Sequence, residues 1–271
     1  MHTDTSPHHT PPRHRRPAVL AAVALVAVSA GAALAGCNGD AGDGTSSSAQ
    51  QQKAGRKVLW MGDSIAGAEA PPLEAALKAS GQRFKDASSD GGGTVVEGDK
   101  MAGPIARTTW KDLKKNLASF HPDVIAYQIT TYDWGTPAQQ RAAYEKLAKT
   151  ARDAGAELDI VSAPPFKIDD FYKKYEGAIK SAPKAAKEVA DKSGGKVHFL
   201  DTTPLWGTDP AGKQAKRSND GIHSCQQGSA AFAKWFTAQL GKQDGFTPAG
   251  PEKWANGAWT GDKRFAKNGC S

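Results

Sequence analysis

The chain has 271 residues and a formal net charge of +7, from 35 lysines and arginines against 28 acids, and 39% of it is hydrophobic. That is enough apolar material for one sizeable domain. The lysines argue against nucleic acid as a partner: Lys111, Lys114 and Lys115, and Lys173, Lys174 and Lys180, read as solvated helix faces rather than one focused patch, and no nucleic-acid module accompanies them.

At the N-terminus Arg13, Arg15 and Arg16 precede an uncharged, Ala-rich run from Ala18 to Ala35, which ends in Leu34-Ala35-Gly36-Cys37. A basic start, a short apolar stretch and small residues before a cleavage point read as a secretory signal. The Leu-Ala-Gly-Cys ending resembles the bacterial lipoprotein lipobox. It implies removal of residues 1–36, diacylation of Cys37, and a protein anchored by lipid to the outer face of the bacterial cytoplasmic membrane. An uncleaved membrane span fits less well, because the run is weakly apolar. Residues 37–56 lack aromatic and β-branched aliphatic side chains apart from the single Thr45 and read as a disordered tether.

Residues 57–242 carry the expected domain. Short apolar runs at 57–61, 123–129, 157–163 and 196–201 read as strands, and 83–87 as a fifth. Helical patterns fall between them at 65–80, 137–154, 170–192 and 227–240, with Pro183 expected to kink or split the third. This alternation predicts an α/β fold, a three-layer α/β/α sandwich with a mostly parallel five-stranded sheet. Residues 243–271 read as an irregular tail. Once Cys37 is assigned to lipid, Cys225 and Cys270 remain, and in an extracytoplasmic protein they are expected to pair. A bridge there would hold the tail beside His223 and contribute about 3–4 kcal/mol.

In open parallel sheets ligands sit beyond the carboxyl ends of the strands. After the first strand comes "MGDSIAG", with Ser64 on the strand-to-helix turn. Asp63-Ser64 alone would be read as a helix N-cap. Gly91, Gly92 and Gly93 form either a turn or a close approach of backbone to ligand. Thr130, Thr131, Tyr132 and Asp133 follow the 123–129 strand. Near the end, "SNDGIHSCQQG" puts Asp220 three residues before His223. A serine nucleophile needs a base, and the base an orienting carboxylate. His198 lies within a strand and His121 at a strand start, so His223 is the best placed of the three histidines after the signal.

These blocks, in this order, resemble the SGNH (GDSL-type) hydrolase family: "MGDSIAG", "DGGGT", "PDVIAYQITTYDW", "APP" and "DGIHSCQQGSAAFA". The resemblance runs from Lys57 to Leu240. It implies Ser64 as nucleophile, His223 as base and Asp220 as its orienter. The implied oxyanion donors are the N–H of Ser64 and that of Gly92 or Gly93. No metal and no cofactor is implied. The family's third block usually reads Gly-x-Asn-Asp; here Thr130 stands in place of the Gly and Tyr132 in place of the Asn. Either Tyr132 or a neighbour such as Thr131 takes over that donor, or activity is reduced or specialised. The function expected is an extracytoplasmic serine esterase acting on small-molecule or glycan esters. The alternatives are an O-acyltransferase with the same nucleophile and a non-catalytic binding module.

Overall fold

A computed structural model of the chain describes residues 55–270, except for the side chain of Ala215. The expected signal sequence, the expected lipidation position Cys37 and all but the last residues of the expected tether lie outside the described residues.

Five strands form one sheet: β1 (Lys57–Met61), β2 (Arg83–Asp86), β3 (Val124–Gln128), β4 (Glu157–Val161) and β5 (Val197–Leu200). Their order is β2-β1-β3-β4-β5, and every pairing is parallel. The chain therefore reverses its direction of winding between β1 and β3, the point at which doubly wound sheets open a crevice.

The strands read as continuous apolar runs because both faces are covered. Along β1, Leu59 and Met61 join the core on one face, and Val58 and Trp60 the core on the other. The first face is covered by α2 (Ala102–Phe120), α3 (Pro137–Asp153) and α5 (Glu176–Asp191), through Leu113, Tyr144, Leu147, Ala186 and Val189. The second is covered by α1 (Ser64–Ala79) and α7 (Gln226–Asp244), where Phe232 and Phe236 pack their rings against Trp60 at centroid distances of 5.5 and 5.4 Å.

Three elements differ from the expectation. The 103–120 stretch, where no helix was assigned, lies in α2. The expected 170–192 helix is two, α4 (Asp170–Lys173) and α5, and the break falls at Lys174–Tyr175 while Pro183 sits inside α5. Its cause is tertiary: the Tyr175 ring stacks on Trp134 at 3.5 Å and its hydroxyl donates to Asp99 at 3.0 Å, which fixes the backbone there. Finally, α7 runs on to Asp244, and the tail is more ordered than expected. α6 (Thr203–Trp206) follows β5, and beyond α7 the tail makes two 3-10 turns, Pro251–Lys253 and Ala258–Gly261, and ends in α8 (Lys263–Lys267), with Trp254 and Phe265 buried.

The tail docks on α1 through a vacancy that proline creates. Pro71 has no N–H to give the Gly67 carbonyl one turn back in the helix; Arg264 Nη1 donates to that carbonyl instead, at 2.9 Å, while Nη2 pairs with Asp86 at 2.9 Å. The Cys225–Cys270 disulfide is present and closes the other end of the docked segment.

Candidate active site

The turn after β1 is built for close packing. Gly62 has φ of +156°, and a Cβ on it would lie 2.5 Å from that of Ala66. Asp63 is the N-cap of α1, its Oδ1 accepting from the Ile65 N–H at 2.9 Å. Its Oδ2 accepts from both the N–H and the hydroxyl of Thr131, at 2.7 and 2.9 Å, which ties this turn to the end of β3. Burial pushes the Asp63 pKa up, against these hydrogen bonds. Ser64, the first residue of α1, is left with its hydroxyl facing the loop before α7.

That loop, 217–224, is a small hairpin. Arg217 and Ser224 bridge as antiparallel partners, and Ser218 N–H donates to the His223 carbonyl at 2.7 Å. The two oxygens of Asp220 divide the work. Oδ1 accepts from the Ser218 hydroxyl (2.6 Å) and from the N–H groups of Ile222 (2.7 Å) and His223 (2.9 Å), and so shapes the loop. Oδ2 meets His223 Nδ1 at 2.6 Å, and His223 Nε2 meets Ser64 Oγ at 2.8 Å. Burial raises the Asp220 pKa, but the bonds from Ser218, from the His223 ring and from the two backbone N–H groups outweigh it and hold the carboxyl at about 2. The acid is thus ionised and aimed at the imidazole. Arg217 braces the hairpin from below: its guanidinium lies 4.6 Å from the Trp206 ring and its Nη1 donates to the Ile222 carbonyl at 3.0 Å.

The glycine segment passes beside the same turn. Gly93, at φ of +51°, lies so close that a Cβ on it would be 2.0 Å from the Gly62 carbonyl oxygen and 3.1 Å from the Asp63 nitrogen. Gly92 is instead set against Tyr132, whose Cδ2 would be 3.1 Å from an added Cβ, and its N–H donates to the Ser89 carbonyl at 3.3 Å. Among the described residues no hydrogen-bond partner is recorded for the N–H of Ser64 or of Gly93. Thr131, the alternative donor, is committed through both its N–H and its hydroxyl to Asp63. Tyr132 lies in an aromatic cluster with Trp134, Phe171 and Tyr172, at centroid distances of 4.7, 6.4 and 6.3 Å.

Several contributors carry no sequence signature. Buried Asp133 gathers four hydroxyls, from Thr94 (2.6 Å), Tyr127 (2.6 Å), Thr130 (2.8 Å) and Tyr144 (2.6 Å), and so fastens the segment after the glycines to the end of β3. Its pKa is raised by burial and opposed by those donors. Glu69, fully buried one helical turn beyond the site, accepts from Gln128 at 2.6 Å, and burial lifts its pKa to about 8. A cavity of about 170 Å³ opens on Ser64 and His223 and is walled by Asp90, Arg264, Lys267 and Asn268. The competing His198, on the edge strand β5, pairs with buried Asp159 at 2.9 Å, and His121 caps α2 with φ of +49°. Among the described residues no cluster of three or more His, Cys, Asp or Glu side chains is placed to hold a metal ion.

No known family profile and no curated protein matches this sequence. Solved structures do share its fold. An inhibitor-bound aryl esterase from M. smegmatis is 15% identical, with a TM-score of 0.54 over 69% of this chain and 99% of that one. A GDSL-like lipase from Bacteroides thetaiotaomicron is 12% identical, with a TM-score of 0.51 over 69% of this chain and 89% of that one. A candidate GDSL-like lipase from Bacteroides ovatus is 18% identical, with a TM-score of 0.51 over 72% of this chain; the chain spans only 55% of that protein's length. The likeness is one of fold: this chain shares the α/β architecture of these solved structures, and its own sheet has five parallel strands.

Proposed function

We propose that the protein is a serine esterase that cleaves carboxylic esters through an acyl-enzyme. The observation that carries this reading is the continuous chain Ser64 Oγ–His223 Nε2, 2.8 Å, and His223 Nδ1–Asp220 Oδ2, 2.6 Å, at the switch point of the sheet. In this reading His223 takes the Ser64 proton as the hydroxyl attacks the ester carbonyl, and then gives it to the leaving alcohol. Asp220 holds the imidazole in the tautomer with its proton on Nδ1 and stabilises the imidazolium. The N–H groups of Ser64 and Gly93 receive the oxyanion, Gly93 being preferred because the Gly92 N–H is turned to Ser89. Tyr132 stands beside this position and is the remaining candidate for a side-chain donor. Water resolves the acyl-enzyme; a glycan hydroxyl in its place would make the same site an acyltransferase. The fold shared with esterases and lipases supports the reading without extending it to a substrate.

Ser64→Ala should abolish hydrolysis of p-nitrophenyl acetate, and unchanged turnover in that variant would sink the assignment.

The reading includes the lipid anchor. The N-terminal sequence supports acylated Cys37 as the first residue of the mature protein, with the domain held outside the cytoplasmic membrane. Cys37→Ser should release the protein from the membrane fraction; a variant that remains there, still carrying fatty acid, would contradict it.

A further inference from the structure

All six residues around the cavity at Ser64 are polar: Ser64, Asp90, His223, Arg264, Lys267 and Asn268. Three of them come from the docked tail, which brings to the site a wall that no strand end supplies. On the reading of Ser64 and His223 given above, the cavity belongs to the alcohol side of the ester, because His223 is the group that returns a proton to the leaving oxygen.

The chemistry of the wall narrows what that alcohol is. Its two cations are each matched by an acid: Arg264 by Asp86 at 2.9 Å and Lys267 by Asp90 at 2.6 Å. A charge-balanced wall has no surplus with which to hold a phosphate or carboxylate. The wall has no aliphatic or aromatic side chain to grip a lipid chain; its apolar surface is only the carbon atoms of its polar residues. What remains is a mixed set of an ammonium, an amide and a carboxylate, which together donate to and accept from hydroxyl groups. The Lys267–Asp90 pair is open to solvent, with the two side chains 67% and 63% exposed, so its opening costs little and a hydroxyl can insert between its partners. The side-chain amide of Asn268 has no recorded partner among the described residues. At about 170 Å³ the cavity is below the ~300–1,000 Å³ usual for drug-sized ligands, and so takes one unit of a carrier rather than an extended chain.

We propose that Lys267 and Asn268 of the tail, with Asp90 opposite them, form a subsite for the hydroxyl-rich alcohol of the substrate, a sugar unit. Arg264 and the Cys225–Cys270 bridge are the fixings that hold this subsite against Ser64.

The test compares two acetyl esters that differ only in their alcohol, p-nitrophenyl acetate and a mono-O-acetylated disaccharide, with the intact, disulfide-bonded chain. Lys267→Met and Asn268→Leu should each lower kcat/KM for the disaccharide by about tenfold, mainly through KM, as expected for losing one or two substrate hydrogen bonds. The loss on the aryl ester should be at least about fivefold smaller, and Lys267→Arg should recover most of the disaccharide activity. Equal losses on both esters would mean that the tail only supports the fold, and would overturn the subsite. So would a wild-type protein that turns over the aryl ester but not the disaccharide, with the esterase reading left standing. A wild-type protein inert towards both would overturn the esterase reading and the subsite with it.

Discussion

Ser64 and Asp63 share a turn but not a task. A Ser or Asp at the start of a helix is usually there to cap it, and Asp63 does so while also gripping Thr131. That leaves the Ser64 hydroxyl with no structural duty, and its partner is His223. Asp220 shows the same division within one side chain, one oxygen folding the loop and the other orienting the imidazole. The sequence singled out Ser64, Asp220 and His223 because a serine nucleophile needs a histidine base and that base an orienting carboxylate. It could not show the four hydroxyls on Asp133, since Thr94, Tyr127 and Tyr144 converge only after the sheet is assembled. Glu69 is equally hidden, an acid in the apolar interior of α1. Its carboxyl is raised to about 8, so its favourable contribution is complete below the ordinary carboxylate pKa and is lost as pH rises through about 8. Glu69→Gln should remove that dependence. In urea denaturation at pH 5 and pH 8.5, the wild type should lose about 2–4 kcal/mol more than the variant over this interval; parallel profiles would contradict the assignment.

Elements buried on both faces were the easiest to read. β1, β3 and β4 are short apolar runs bounded by Gly or Pro, and their limits in the structure shift by only a residue or two. α2 escaped because Gly103, Pro104 and the Thr108-Thr109 pair dilute a helix that buries only a narrow face, Ala102, Gly103, Ala106 and Leu113. The break at Tyr175 was illegible for a different reason: it is imposed by Trp134 and Asp99, far away in sequence. The tail was half legible. Its cysteines announced a bridge, but its docking rests on a carbonyl that Pro71 leaves unpaired and Arg264 fills. Replacing Cys225 and Cys270 by serine should cost about 4 kcal/mol by the loop-entropy relation. It should also make the chain beyond Gly245 sensitive to limited proteolysis. A double variant as stable and as protease-resistant as the wild type would show that the non-covalent docking suffices.

At the scale of the molecule, strand–helix alternation revealed a parallel sheet, while the strand order β2-β1-β3-β4-β5 became visible only with the structure. That order is what makes the site. It puts the ends of β1 and β3 side by side at the switch point, so that Asp63 can hold Thr131 and the glycine segment can fold over Gly62. The 217–224 hairpin then returns from beyond β5, on the face covered by α1 and α7, to bring His223 to Ser64. The central claim is that this convergence makes Ser64 a nucleophile. Treating the folded protein with a fluorophosphonate probe and mapping the adduct by mass spectrometry tests it most directly. The account predicts a single adduct on Ser64, lost in His223→Ala; folded wild-type protein that stays unlabelled, or is labelled at another residue, would contradict it.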